Sequence, residues 1–333
     1  MDSLTQIVLG AAVGEAVLGK KVGNKALLYG AIAGTIPDLD VVANYLTDAV
    51  TAIELHRGFS HSILFFTLVS PFLGWLVNKI ERSRSLGWRL WAKLFFWALL
   101  THALLDAFTT WGTQIFWPFE IRLAFNSIFV VDPLYTIPFL ISTIALMFFK
   151  RNSKTRSYLG KIGLLLSTFY LANTLVVKFA AHTLFEKALN EQNIEYSSIS
   201  TRPSPMNIIL WNANIDAKDA YLISDYSFFD TQPISFKTYP KHRANSERIR
   251  KYEMVQRLIA ISEGWYLMEK KNGDWYFYDL RFGIIPKKSG ETDFVFAYKI
   301  EENDGEIKVT ELPKNREDAV YLLSALWTRI KGN

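Results

Sequence analysis

In the first half of the chain, apolar residues run in unbroken blocks of helix-spanning length; in the second half they alternate with polar residues at the period of a strand. Four blocks, roughly Ser62–Val77, Leu90–Trp111, Ile128–Phe149 and Ile162–Leu184, approach the ~20 residues that a bilayer crossing needs. Two shorter blocks precede them, near Leu4–Leu18 and Ala26–Ile36, and both are rich in Gly and Ala. Small residues at that spacing predict a tightly packed helical hairpin. From about Asn190 the pattern changes. IILWNA, AYLISDY, WYFYDLRFG, DFVFAYKI and EIKVTEL read as strands, and the Lys271-Asn272-Gly273-Asp274 run between apolar stretches predicts a hairpin turn. Glu247–Glu263 and Arg316–Ile330 carry a helical period. The expected fold is mainly α: a multi-pass transmembrane bundle of four spans plus a short N-terminal hairpin over residues 1–188. A small soluble α+β domain follows over 189–333.

Composition agrees with a membrane half joined to a soluble half, since 50% of the residues are hydrophobic and 21% charged. The net charge of +5 does not call for a nucleic-acid partner, because much of it sits in two short loops. Lys79, Arg82, Arg84, Arg89 and Lys93 lie between the first and second spans, and Lys150, Arg151, Lys154, Arg156 and Lys161 between the third and fourth. With Lys20, Lys21 and Lys25 at the hairpin tip, they predict cytoplasmic loops. Pro37–His61, Gly112–Asn126 and the C-terminal domain are then extracytoplasmic. The N-terminus has no basic stretch before its apolar run, so no cleaved signal peptide is expected. The chain has no cysteine, which excludes a thiol nucleophile and a zinc ribbon.

Polar residues at the outer ends of the spans supply the candidate chemistry. His102 and Asp106 sit four apart within LFFWALLTHALLDAFTTW, on one helix face, and ionisable groups in such a setting mark a functional site by default. Asp38 and Asp40 follow the Gly-rich helix, and His56, Arg57, Ser60 and His61 stand in HRGFSHS just before a span. Gly112, Thr113 and Gln114 follow the His102 helix, and Asp132 opens the next apolar block. Imidazole with carboxylate is the ligand set of zinc, manganese or non-haem iron. Asp38, Asp40, His56, His61, His102 and Asp106 are therefore the candidate ligands. Asp38, His61 and Arg57 are the candidate catalytic residues, Arg57 as a bidentate anion clamp. Ser60 and Thr113 are candidate hydrogen-bond partners behind the ligands. Each has a plainer reading: Asp40 as a helix cap, the His56–Arg57 pair as an interfacial anchor, His102 and Asp106 as each other's partners. His182 and His242 fall outside the set.

In this order and in these apolar settings, Pro37-Asp38-Leu39-Asp40, HRGFSHS at 56–62, His102-Ala-Leu-Leu-Asp106 and Gly112-Thr113-Gln114 resemble the bacterial inner-membrane metal-dependent hydrolase family. Its members are described as YdjM-like or YfhP-like, or as a LexA-binding membrane hydrolase. The resemblance covers about residues 1–150, including the opening MDSLTQ. Many members have His where this chain has Gln6. More remotely, the order of ligands is similar to that of zinc-dependent phospholipase C and P1 nuclease, which implies Asp40, His56, His102 and Asp106 as metal ligands.

The expected function is a membrane-bound hydrolase of the inner membrane that cleaves a phosphoester or other ester of a lipid or lipid-linked substrate with metal-activated water. The expected cofactor is a divalent metal, zinc before manganese or iron. The expected partners are the bilayer and that substrate. Two other classes remain open: a metal-stabilised scaffold or regulator without turnover, and a transporter with a polar relay.

Overall fold

The computed structural model describes residues 1–82, 86–287, 292–303, 306–313 and 319–333; Arg84 of the first basic loop and Arg316 of the last helical segment lie outside them. The chain divides into two compact units. The first comprises Met1–Ala43, Leu55–Val176 and Pro205–Asn207; the second comprises Asn44–Glu54, Val177–Ser204 and Ile208–Asn333.

In the first unit, α1 (Ser3–Gly14) continues through a π-turn at Glu15–Gly19 and a last helical turn at Lys20–Val22. Gly23, at φ +66°, reverses the chain into α2 (Asn24–Thr35). The expected small-residue packing is present. A Cβ on Gly30 would lie 2.1 Å from the carbonyl oxygen of Gly10, and one on Gly10 would lie 2.2 Å from that of Gly30. Backbone therefore meets backbone with no room for a side chain. Gly30→Leu is accordingly expected to cost about 3 kcal/mol, the upper end for overpacking, because the obstacle is main chain and cannot rotate away. Gly160→Ala, whose Cβ would find only ordinary contacts at 3.6 and 3.7 Å, should be neutral in the same thermal-unfolding comparison.

The remaining helices of this unit are α3 (Ile63–Ile80), α4 (Trp88–Ala107), α5 (Pro133–Leu146) and α6 (Lys154–Glu191, which enters the second unit at Val177). Ser62 caps α3 by accepting from the Phe65 amide, and Asp132 caps α5 by accepting from the amides of Leu134 and Tyr135. Trp91, Leu94, Phe95 and Phe139 fill the core between them.

Among the described residues, four helical segments are by length and composition long and apolar enough to cross a membrane: Asn24–Leu46, Ile63–Ile80, Trp88–Ala107 and Lys154–Glu191. This differs from the expected set at two places. The block expected as a span at Ile128–Phe149 forms the 14-residue α5, about 21 Å long against a hydrocarbon core of about 30 Å, yet it runs between the two ends of the hairpin, with Thr136 beside Thr5 at its start and the Met147 carbonyl accepting from Asn24 at its end. The Asp132 cap and Pro133 start it late, and turns after Leu146 end it early. Conversely, α2 and the 3-10 turn Pro37–Val42 run on from the hairpin, so its second arm reaches spanning length.

The second unit holds two antiparallel four-stranded sheets. β1 (Ser198–Pro203), β2 (Leu210–Asp216), β3 (Ala220–Ser227) and β4 (Lys237–Pro240) form one in sequence order. β5 (Tyr266–Lys271), β6 (Asp274–Pro286), β7 (Thr292–Asn303) and β8 (Glu306–Glu311) form the other. The expected hairpin joins β5 to β6, with Asn272 and Gly273 at φ +54° and +94° and Lys271 opposite Asp274. α7 (Glu253–Ile261) and α8 (Ala319–Ile330) complete the unit. The short helix Ala49–Leu55 adds Val50, fully buried, to a core with Ile249, Leu258 and Tyr266. Asp48 caps that helix. Burial raises its carboxyl pKa, but the Thr51 hydroxyl and the amides of Thr51 and Val50 outweigh this and hold it below the usual range.

Candidate metal centre

The site lies entirely in the first unit, where three chain segments meet at the end of α4. Asp38 comes from the turn that Pro37 imposes after α2, His61 from the turn before α3, and His102 and Asp106 from successive turns of α4. One ligand atom from each of these four lies within 4.8 Å of all the others. His61, His102 and Asp106 are fully buried, whereas Asp38 is the partly open side of the cluster.

Hydrogen bonds behind the cluster decide which atoms face inward. His102 Nδ1 is 2.8 Å from the Gly34 carbonyl oxygen, an acceptor only, so Nδ1 carries the proton and Nε2 keeps its lone pair. The Gly-lined contact between α1 and α2 leaves this carbonyl close to α4. His61 Nδ1 is 2.9 Å from Ser60 Oγ, and that hydroxyl donates to Asp40 Oδ2 at 3.1 Å. His61 therefore donates to Ser60 and also presents a bare Nε2. Asp106 divides its two oxygens. Oδ1 accepts from the Gln6 amide at 3.0 Å, from the Met1 ammonium, and is 3.2 Å from Arg57 Nη2; buried Oδ2 has no hydrogen-bond donor among the described residues.

Three electron pairs thus converge without a proton between them. The two Nε2 atoms are 3.2 Å apart, and Asp106 Oδ2 is 3.3 Å from one and 3.4 Å from the other. Asp38 Oδ1 stands 3.6 Å and 3.5 Å from the same nitrogens. Ligand atoms around a tetrahedral centre with bonds of about 2.0–2.1 Å are about 3.3–3.4 Å apart. The donor set, its spacing and the orphaned carboxylate oxygen therefore fit a divalent cation.

The other expected residues take different places. Asp40 binds His56 Nδ1 at 3.0 Å, the Arg57 amide at 2.8 Å and Ser60, and so stands behind His61. His56 packs edge-on to Trp111. Arg57, at φ +57° and nearly buried, directs Nη1 to Thr109 Oγ1 at 2.8 Å while Nη2 faces Asp106. Thr113 is buried and pairs through its backbone with Leu123; Gln114 donates its amide to the Arg57 carbonyl. Asp132 serves as a cap and accepts from Tyr170 at 2.8 Å, away from the four. Sequence reasoning missed Thr109, the Gly34 carbonyl and the Met1 ammonium. Only Thr109 carried a signal, being one helical turn beyond Asp106.

Residues 1–183 match the family model described as YdjM inner membrane protein. The chain is 34% identical over 144 residues to the uncharacterized protein YfhP of Bacillus subtilis (strain 168), across 40% of this chain and 42% of that protein. It is 29% identical over 114 residues to the inner membrane protein YbcI of Escherichia coli (strain K12), across 34% of this chain and 64% of that one. In both cases the match spans less than two thirds of the relative's length. No solved structure matches the chain.

Proposed function

Because the chain belongs to the YdjM inner membrane protein family, and the matched region carries the whole Asp38–His61–His102–Asp106 cluster, we propose that it is a membrane-bound, metal-dependent hydrolase. The observation that carries this reading is the convergence of two bare imidazole nitrogens and an unpartnered carboxylate oxygen in a buried site. Asp38, His61, His102 and Asp106 would hold the ion, zinc before manganese or iron. A divalent ion held there supplies Lewis acidity and generates a nucleophile from water near neutral pH. The chain does the rest. Ser60 and Asp40 keep His61 in one tautomer, the Gly34 carbonyl does so for His102, and Arg57 and Gln6 hold Asp106 with Oδ2 inward. Arg57 in this reading positions Asp106 instead of gripping the substrate. Asp38, on the open side, faces the incoming ester.

We assign the site to the outer face of the inner membrane and the second unit to the extracytoplasmic side, a reading supported by the basic residues of the loops between the expected spans. A site at the end of apolar helices is reached most directly by a lipid or lipid-linked phosphoester, the substrate class we assign. One observation favours a second reading. Four protein ligand atoms already stand within 4.8 Å of one another, and a full set of four protein ligands is the mark of a structural metal site.

Purified protein loaded separately with zinc, manganese and iron, and assayed on phospholipids, lipid phosphates and carboxyl esters, separates the two. The hydrolase reading expects metal-dependent turnover, with Asp38→Ala losing most of it while His61, His102 and Asp106 still retain an ion. Full metal occupancy with no turnover on any substrate or metal would establish the structural reading instead.

A further inference from the structure

The loop after α4 exposes a largely apolar stretch beside the site. Phe116, Trp117, Pro118, Phe119 and Ile121 all face outward, Phe119 at 66% and Ile121 at 59% exposure, with Glu120 as the sole charge in the run. Ordinary surface loops are polar, so five exposed apolar residues in a run of six need a cover.

Three features identify the cover as a lipid leaflet. First, the patch continues the apolar surface of a span. Phe59 joins Trp117 (ring centroids 4.9 Å) to Phe65 in the first turn of α3 (5.3 Å), where Ile63 and Leu64 are also exposed. Second, the loop satisfies much of its own backbone. Thr113 and Leu123 pair in both directions at 3.0 and 2.9 Å, Trp117 N donates to Gln114 O, and Phe119 N donates to Phe116 O. A segment entering an apolar medium needs that internal pairing. Third, Trp and Phe beside a lone carboxylate and a flanking Arg122 is the composition of the membrane interface, where aromatic bodies sit at headgroup depth and charged ends reach for water.

We propose that residues 116–121 form a wedge inserted into the outer-facing leaflet beside the metal centre. The wedge is tied directly to the segment that leads to His61: Gln114 N donates to Arg57 O at 3.0 Å, and Arg122 donates to His56 O at 3.3 Å. Lipid then presses on one side of a loop whose other side is bonded to the site. Entry of the ester sideways from that leaflet, past the wedge, is a corollary that rests on the hydrolase reading; insertion does not.

The chain lacks cysteine, so single spin labels can be placed without other changes. Phe119→Cys and Ile121→Cys would be labelled in nanodiscs of phosphatidylethanolamine and phosphatidylglycerol. Leu68→Cys, on the exposed face of α3, and Lys218→Cys, in the second unit, serve as hydrocarbon and water references. Insertion predicts an oxygen-to-nickel collision ratio at positions 119 and 121 several-fold above that at 218 and close to that at 68. A ratio equal to that at 218 overturns the proposal. So does protection from both collision agents, which means a protein cover, with dipolar broadening identifying a second copy. As a readout needing no label, brominated lipid should quench wild type more than Trp117→Phe; equal quenching counts against insertion. None of these measurements needs metal or turnover, so they stand apart from any failure of the hydrolase reading.

Discussion

Asp106→Asn should strip the protein of its divalent metal and destabilise it at the same time. Asp106 Oδ1 faces donors from Gln6, Met1 and Arg57, so the new amide must turn its oxygen to them. Its NH2 then occupies the Oδ2 position and donates into the lone pairs of His61 and His102, where an ion would bind. Losing one of four ligands and filling its place with a donor should lower affinity by more than the 10–100-fold typical of outer-shell changes. The Arg57 guanidinium meanwhile loses its buried counter-charge, which costs about 3–5 kcal/mol. Metal content by plasma mass spectrometry, beside thermal unfolding in detergent, reads both effects. Asp38→Asn, at the open side of the cluster, should weaken metal binding without the loss of stability. Full metal retention in Asp106→Asn would remove this cluster as the binding site.

Arg156→Met is expected to be comparably destabilising and to leave the metal centre chemically intact. At the other end of the α1–α2 hairpin, Arg156 makes a bidentate pair with Glu15 at 2.8 and 2.6 Å, and both side chains are buried. Its Nη1 also reaches Asn24 Oδ1 at 2.7 Å and Phe149 O at 3.0 Å. One guanidinium thus joins the end of α1, the start of α2, the turn after α5 and the first turn of α6. Glu15 opens the π-turn, and Gly19 gives its carboxylate room: a Cβ there would lie 2.2 Å from the Glu15 carboxyl carbon. Removing the guanidinium alone leaves a buried carboxylate unpaired, at about 3–5 kcal/mol. The double variant Glu15→Gln, Arg156→Met removes both charges and should recover most of the loss. If the single and double variants unfold alike, the pair contributes packing and not charge compensation.

The parts of this architecture that sequence reveals are those set by local pattern. His102 and Asp106 stand out because ionisable groups four apart in an apolar helix are costly to keep there without a task. Asp38 and His61 follow because each sits where an apolar block starts or stops. The Gly-rich hairpin and the Asn272–Gly273 turn are legible for the same local reason. What escapes is whatever depends on distant segments. No pattern around Gly34 announces that its carbonyl fixes a histidine tautomer, and Asp40 and Asp38 look alike until the fold turns one towards Ser60 and the other towards the imidazoles. The length of α5 also escapes, because hydropathy reads through Ile128–Phe149 without registering that Asp132 and Pro133 set the helix start. Strands β1 and β4 have too few apolar residues to show a period; their neighbours define them.

Residues 44–54 carry a consequence for ancestry and for engineering. They are encoded between Asp40 and His56, yet Val50 is buried among residues more than 190 positions later, and Glu54 pairs with Arg257 at 2.6 Å. The C-terminal domain is therefore not a trailer that can be uncoupled. A truncation after Glu191 would delete the partners of Val50 and Glu54 but keep the segment itself, leaving an apolar side chain bare in the loop between two site motifs. Swapping the domain for one from another chain would require transplanting this eleven-residue stretch with it. In a lineage that gains or loses the domain, the two pieces of sequence are expected to travel as a pair.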